Sequence, residues 1–204
     1  MAETDRTDVG GCTGCGAARV SPIVCAECGT IFDIPSDAFA LLGQTRSWAV
    51  DVASLEERYG ALSRAFREKS SARPDAGERS KAAVEALEAA RRVLLDPLER
   101  AHYLLASYGC AERDKPLRKR EFQSEVMEID QSLARARQEG DSSRLASAVL
   151  EAEEKLASAI VAAGQSFTRL ERSLSEELGA AADALAEARF WRRKVDELRA
   201  GLGR

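Results

Sequence analysis

Apolar residues recur at helical spacing along most of this chain. Leu55, Tyr59, Leu62 and Phe66 follow one another at steps of 4, 3 and 4, so they share one stripe of a helix with 3.6 residues per turn. Asp51 stands where that helix needs an N-cap, and the opposite face carries Arg58, Arg64, Arg67 and Lys69. A second amphipathic helix is predicted over 78–95 with Val84, Leu87 and Leu94 inward, and Asp96-Pro97 ends it. A third, shorter helix runs from Leu98 to Tyr108 and stops at Gly109. The turn-rich SSARPDAG, Ser70 to Gly77, joins the first two as an exposed loop. Upstream, an N-cap candidate at residue 36 opens one apolar turn that Gly43 closes.

The rhythm resumes after a charged, proline-containing stretch, ERDKPLRKR, which reads as a linker. Phe122, Val126, Ile129 and Leu133 keep a 4-3-4 pattern up to Gly140. Asp141 can cap the next helix, which turns Leu145, Val149, Ala152, Leu156 and Ile160 inward. The same face continues past Gly164 with Phe167, Leu170, Leu174 and Leu178, and one long helix through Gly164 is predicted. An interior glycine there costs about 1 kcal/mol relative to alanine. Gly179 separates a last helix bearing Leu185, Ala188, Val195 and Leu198. Long amphipathic helices joined by short loops imply an antiparallel bundle, of three helices if Gly164 does not interrupt.

Composition agrees with a mainly α fold. The 204 residues include 36 alanines, only 5% aromatics, and no proline beyond Pro116; alanine is the strongest helix former. Net charge is −4 from 30 basic and 34 acidic residues, which does not concentrate the positive potential that nucleic-acid backbones require. No apolar run is long enough to span a bilayer, and the start, MAETDRTDVGG, lacks the basic-then-apolar pattern of a secretory signal. The expectation is a cytoplasmic protein that binds neither nucleic acid nor membrane. His102 is the single histidine, which removes multi-histidine zinc hydrolases and histidine relays.

The N-terminus carries the clearest chemistry. Cys12, Cys15, Cys25 and Cys28 spell C-x2-C-x9-C-x2-C, and each pair is followed by glycine, Gly16 and Gly29. Glycine there permits the tight turn that aims backbone N–H groups at thiolates. Arg19 to Val24, between the pairs, reads as a short strand and turn. A reducing compartment argues against disulfides, and no βαβ pattern supports a redox C-x-x-C. The spacing predicts a zinc ribbon rather than a rubredoxin-like iron site. Four protein ligands close the coordination shell, so Zn2+ is structural and supplies the folding energy of a module too small for its own core. Cys110 is a lone thiol.

Three stretches, taken with the ribbon, resemble the HscB type of iron–sulfur cluster assembly co-chaperone. Asp37 to Gly43 with Trp48-Ala49-Val50-Asp51 is similar to that family's opening "DYFxLLG…Y-x-VD". Asp96 to Leu105, DPLERAHYLL, is close to "PLxRAxYLL"; Phe122 to Ile129, FQSEVMEI, resembles "FLMEQMEL", and Arg189-Phe190 matches a late "RF". One branch of the family also carries an N-terminal ribbon with two C-x-x-C pairs. The resemblance implies a zinc ribbon over 1–34, a J-like domain over 36–110, a linker over 111–120 and a C-terminal three-helix bundle over 121–204.

It further implies a binding protein rather than an enzyme. The J domain of that family engages a DnaK-type chaperone and stimulates its ATP hydrolysis, while the bundle binds the scaffold protein IscU. Carried onto this sequence, the chaperone-facing residues are Arg64, Arg67, Lys69, Arg73, Pro74 and Asp75, and the scaffold-facing residues are Gln123, Ser124, Met127 and Phe190. The chain departs from the pattern at one decisive place. Stimulation in the family depends on His-Pro-Asp, and no such tripeptide exists here; Arg73-Pro74-Asp75 is a partial echo in the corresponding loop. Arginine keeps a positive charge but cannot reproduce a neutral imidazole. Gln123 and Ser124 replace two apolar residues of the family's scaffold patch, at roughly 1.5–3 kcal/mol each if fully buried. The alternative is therefore a degenerate J-like protein that has lost ATPase stimulation and serves as a ribbon-and-bundle interaction module.

Overall fold

The computed structural model of the chain describes residues 11–19, 22–70, 77–110, 120–173 and 177–202. Among these the fold is mainly α, with seven helices and a single isolated antiparallel bridge, Val24 with Ile31. The chain divides into two compact units, one of 1–46 with 50–96 and one of 47–49 with 97–204.

The first unit holds the cysteine-bearing segment and three helices. Helix α1, Ala38–Leu41, is a single turn capped by Asp37, whose carboxylate accepts the Ala40 N–H at 2.8 Å and pairs with Arg46. It buries Ala38, Phe39 and Leu41. Helix α2, Val52–Ser70, starts where Asp51 accepts the Ala53 N–H at 3.0 Å, and it buries Leu55 and Phe66 as the spacing predicts. Helix α3, Gly77–Leu95, packs against both. Its buried stripe is Ala83, Leu87, Ala90 and Leu94, whereas Val84 is 39% exposed. The inward expectation for Val84 therefore fails by one position. Two alanines complete the 4-3-4 stripe. Across the pair, Arg91 makes two bonds to the Glu56 carboxylate, at 2.8 and 2.6 Å, and lies 5.1 Å from the Tyr59 ring centroid.

The second unit contains α4, Pro97–Ser107; α5, Arg120–Glu139; α6, Ser142–Leu170; and α7, Leu178–Leu202. Pro97 is the first residue of α4, where its missing N–H has no intrahelical partner to lose. Leu98, Ala101, Leu104 and Leu105 of α4 are buried, and α4 packs on α6 and α7. Helix α4, which the sequence reading places in the 36–110 region, falls within the second unit, where it meets α6 and α7.

Helix α6 runs unbroken through Gly164, as expected, and Asp141 caps it by accepting the Ser143 and Arg144 N–H groups at 3.1 and 3.0 Å. It ends at Leu170, earlier than the apolar rhythm suggests; Leu178 begins α7 instead, and Leu174 lies outside the described residues. Gly179 sits inside the first turn of α7. The long α6–α7 interface buries Val149, Ala152, Ala163, Phe167 and Leu170 from one side and Ala181, Leu185, Ala188, Trp191 and Leu198 from the other. Lys194, 8% exposed, is neutralised by Asp130 of α5 and by Glu197.

Trp48 explains the glycine in the middle of α6. Its ring stacks on Phe167 with centroids 5.2 Å apart and planes within 12°, and the Arg100 guanidinium covers it at 5.1 Å. The Trp48 backbone N–H donates to the Glu171 carboxylate at 2.5 Å. A Cβ at Gly164 would stand 2.5 Å from the indole Nε1 and 3.0 Å from Cε2. Only glycine leaves room for the indole.

Candidate metal centre and partner-binding faces

The four cysteines converge although 16 residues separate Cys12 from Cys28. Their sulfurs all lie within 4.8 Å of one another; Cys12 Sγ is 3.6 Å from Cys28 Sγ, and Cys15 Sγ is 3.7 Å from Cys25 Sγ. Four sulfurs at about 2.3 Å from one tetrahedral metal stand about 3.8 Å apart. The cluster thus has the dimensions of a four-thiolate metal site.

Backbone turns set this geometry twice over. The Cys12 N–H donates to Ala17 O at 2.7 Å, and the Gly16 N–H to Cys12 O at 2.7 Å. One repeat later the Cys25 N–H donates to Thr30 O at 2.9 Å, and the Gly29 N–H to Cys25 O at 3.0 Å. Gly16 and Gly29 both have left-handed backbones, with φ of 76° and 72°. These are the glycine turns that the sequence predicts. The strand-like pairing is shorter than predicted: Val24 bridges Ile31, beyond the second cysteine pair, and residues 20 and 21 are outside the described set. Phe32 closes a small core over Cys12 and Cys25, and Arg19 lies 3.9 Å above its ring.

The electrostatics favour a cation among the sulfurs. The Thr30 hydroxyl and amide hold the Cys28 thiol down at about 6. Burial raises Cys12, but the amides of Gly14 and Cys15 outweigh it and leave that thiol lowered. The Ala17 amide favours the Cys15 thiolate, yet the neighbouring sulfurs and burial push it up to about 12. Four thiolates packed this closely would repel one another, and a metal ion at their centre would compensate that charge. The donor set is all sulfur, and such a set selects a soft or borderline metal.

The partner faces inferred from resemblance are described only in part. Arg64 and Arg67 are exposed on α2. Arg67 lines a hollow of about 360 Å³ with Phe66, Ser80, Lys81, Val84 and Glu85. The Lys69 side chain and residues Arg73, Pro74 and Asp75 lie outside the described residues. Gln123 and Ser124 fall within α5, with side chains outside the description. Met127 is 57% exposed. Phe190 is half-buried and meets the edge of Trp191 at 5.3 Å; Trp191 is the buried member of that pair. Met127 and Phe190 each lie about one turn before a partner of the Asp130–Lys194 ion pair. Two residues that the sequence reading did not single out, Gly14 and Thr30, touch the cysteine cluster.

Comparison with known proteins matches this architecture. The crystal structure of human co-chaperone protein HscB superposes with a TM-score of 0.74 at 23% identity, covering 94% of this chain and 98% of that one. The chain has the HscB fold. Chaperone HscB from Vibrio cholerae gives a TM-score of 0.64 at 23% identity, over 80% of this chain and 96% of that one. In sequence the chain is 33% identical over 141 residues to the human iron–sulfur cluster co-chaperone protein HscB. That alignment takes in 63% of this chain and 59% of the human protein's length. No protein-family model matches the chain. Among the described residues no helix is long and apolar enough to cross a membrane.

Proposed function

We propose that this chain is an HscB-like adaptor co-chaperone. Its J-like region, 36–110, would engage a DnaK-type chaperone, and its bundle, 121–204, would hold an IscU-like scaffold protein. The observation that carries the reading is the agreement of a fold match over 94% of the chain with 33% sequence identity to an iron–sulfur cluster co-chaperone over 141 residues. The four-cysteine cluster would hold a structural Zn2+ ion: the sulfur spacing suits tetrahedral coordination, and zinc brings no redox chemistry to a closed site. Thiols kept reduced for metal fit a cytoplasmic location.

A second reading rests on the missing His-Pro-Asp tripeptide. In it the chain binds partners but does not accelerate a chaperone's ATP cycle.

Direct binding tests the adaptor role. Calorimetric titration with a purified IscU-type scaffold should give saturable 1:1 binding. Met127→Glu should weaken it at least tenfold, which is about 1.4 kcal/mol, because that side chain is 57% exposed. No heat and no complex by sedimentation would refute the scaffold half of the proposal.

A further inference from the structure

The two cysteine turns are near-copies, but they differ at one position. Two residues past the second cysteine stands Ala17 in the first turn and Thr30 in the second. The Thr30 hydroxyl lies 3.0 Å from Cys28 Sγ. A metal-bound thiolate has no proton to give, so there the hydroxyl donates and the sulfur accepts. Ala17 has no such group to offer Cys15.

Packing reinforces the difference. A Cβ at Gly14 would fall 2.4 Å from Thr30 Oγ1 and 3.4 Å from Cys28 Sγ. The first turn therefore packs directly against the hydroxyl–sulfur contact. Cys28 is half-buried and Cys12 and Cys25 are buried, while Cys15 alone of the four is exposed. A hydrogen bond draws electron density from a thiolate and blunts it as a nucleophile, and burial limits access to it.

We propose that Thr30 is an outer-shell positioning residue that makes Cys28 a firmly held metal ligand and leaves Cys15 as the ligand that yields first. This role rests on the reading of the cluster as a zinc site. It makes unequal four cysteines that their spacing presents as equivalent.

The test compares the zinc-loaded full chain with Thr30→Val, Thr30→Ser and Gly14→Ala. Competition with a chromophoric chelator should show zinc affinity reduced about 10–100-fold in Thr30→Val, the usual range for lost outer-shell partners. Thr30→Ser should restore it, and Gly14→Ala, which displaces the hydroxyl, should resemble Thr30→Val. In the cobalt-substituted chain, loss of the hydrogen bond should move the sulfur-to-metal charge-transfer band to lower energy, a shift that altered packing alone would not produce. Timed alkylation with N-ethylmaleimide, read by mass spectrometry, should modify Cys15 before Cys28; Thr30→Val should narrow that gap. Unchanged affinity, spectrum and order of alkylation in a zinc-binding Thr30→Val variant would overturn the role of Thr30. A wild-type chain that takes up no zinc would overturn the zinc reading, and the role of Thr30 with it.

Discussion

The same substitution should have opposite effects at two glycines inside helices. Alanine in a helix interior is favoured over glycine by about 1 kcal/mol. At Gly60 in α2 the nearest atom to an added Cβ is Arg64 Nη1, at 3.7 Å, the mobile end of a long side chain. Gly60→Ala should therefore stabilise, by about 0.5–1 kcal/mol. At Gly164 the new methyl group would meet the indole of Trp48 at 2.5 Å, so the indole must leave. Its stack on Phe167 contributes about 0.5–1.5 kcal/mol, and the apolar burial of a half-exposed ring adds about 1–1.5 kcal/mol. Set against the gain in helix propensity, Gly164→Ala should destabilise by roughly 0.5–2 kcal/mol. Urea titration followed by circular dichroism measures both signs. Tryptophan emission gives an independent check: Trp48 and Trp191 are the two indoles, Trp191 is 2% exposed, and only Trp48 should move into water. A Gly164→Ala chain as stabilised as Gly60→Ala, with unshifted emission, would refute this picture of the contact.

Two further expectations concern a helix cap and the metal. The Asp141 carboxyl is held below its ordinary value by the Arg144 amide and the Ser143 hydroxyl. A folded-state value below the unfolded one gives stability that is present above the unfolded value and lost as pH falls through the folded value. The unfolding midpoint should thus fall below about pH 4, and Asp141→Asn, which keeps a cap acceptor without charge, should flatten that part of the profile. Strong chelation should erase the dispersed amide signals of residues 11–32 in an NMR spectrum while leaving the helical circular dichroism nearly intact, since the described residues of that segment contribute no helix. A ribbon that stays ordered without metal would contradict a metal-dependent fold.

The legibility of the chain follows from how local each signal is. Cysteine spacing and the two following glycines specify the ribbon's turns, because both act within five residues. Asp51 and Asp141 are readable as caps for the same reason. The α3 stripe is displaced by one position at Val84, because alanines such as Ala83 and Ala90 are compatible with either face. The end of α6 at Leu170 is hidden: no glycine or proline follows it directly, and Glu171 is drawn instead to the Trp48 backbone N–H. The partner of Trp48 is not readable either, since more than half the chain separates it from Gly164, and periodicity does not say which neighbour covers a face. Thr30 escapes notice because an isolated threonine carries meaning only once the second turn is laid over the first.

An adaptor of this kind couples a client to a chaperone's ATP cycle, and that coupling is read in steady-state hydrolysis by the cognate DnaK-type chaperone. The assay adds the chain alone, the chain with an IscU-type scaffold, and the Asp75→Asn variant with scaffold. The adaptor role requires several-fold stimulation, greatest with scaffold present and lost in the variant, which would give Arg73-Pro74-Asp75 the work of the absent tripeptide. A rate unchanged at saturating chain and scaffold would overturn it and leave a binding module with the HscB fold.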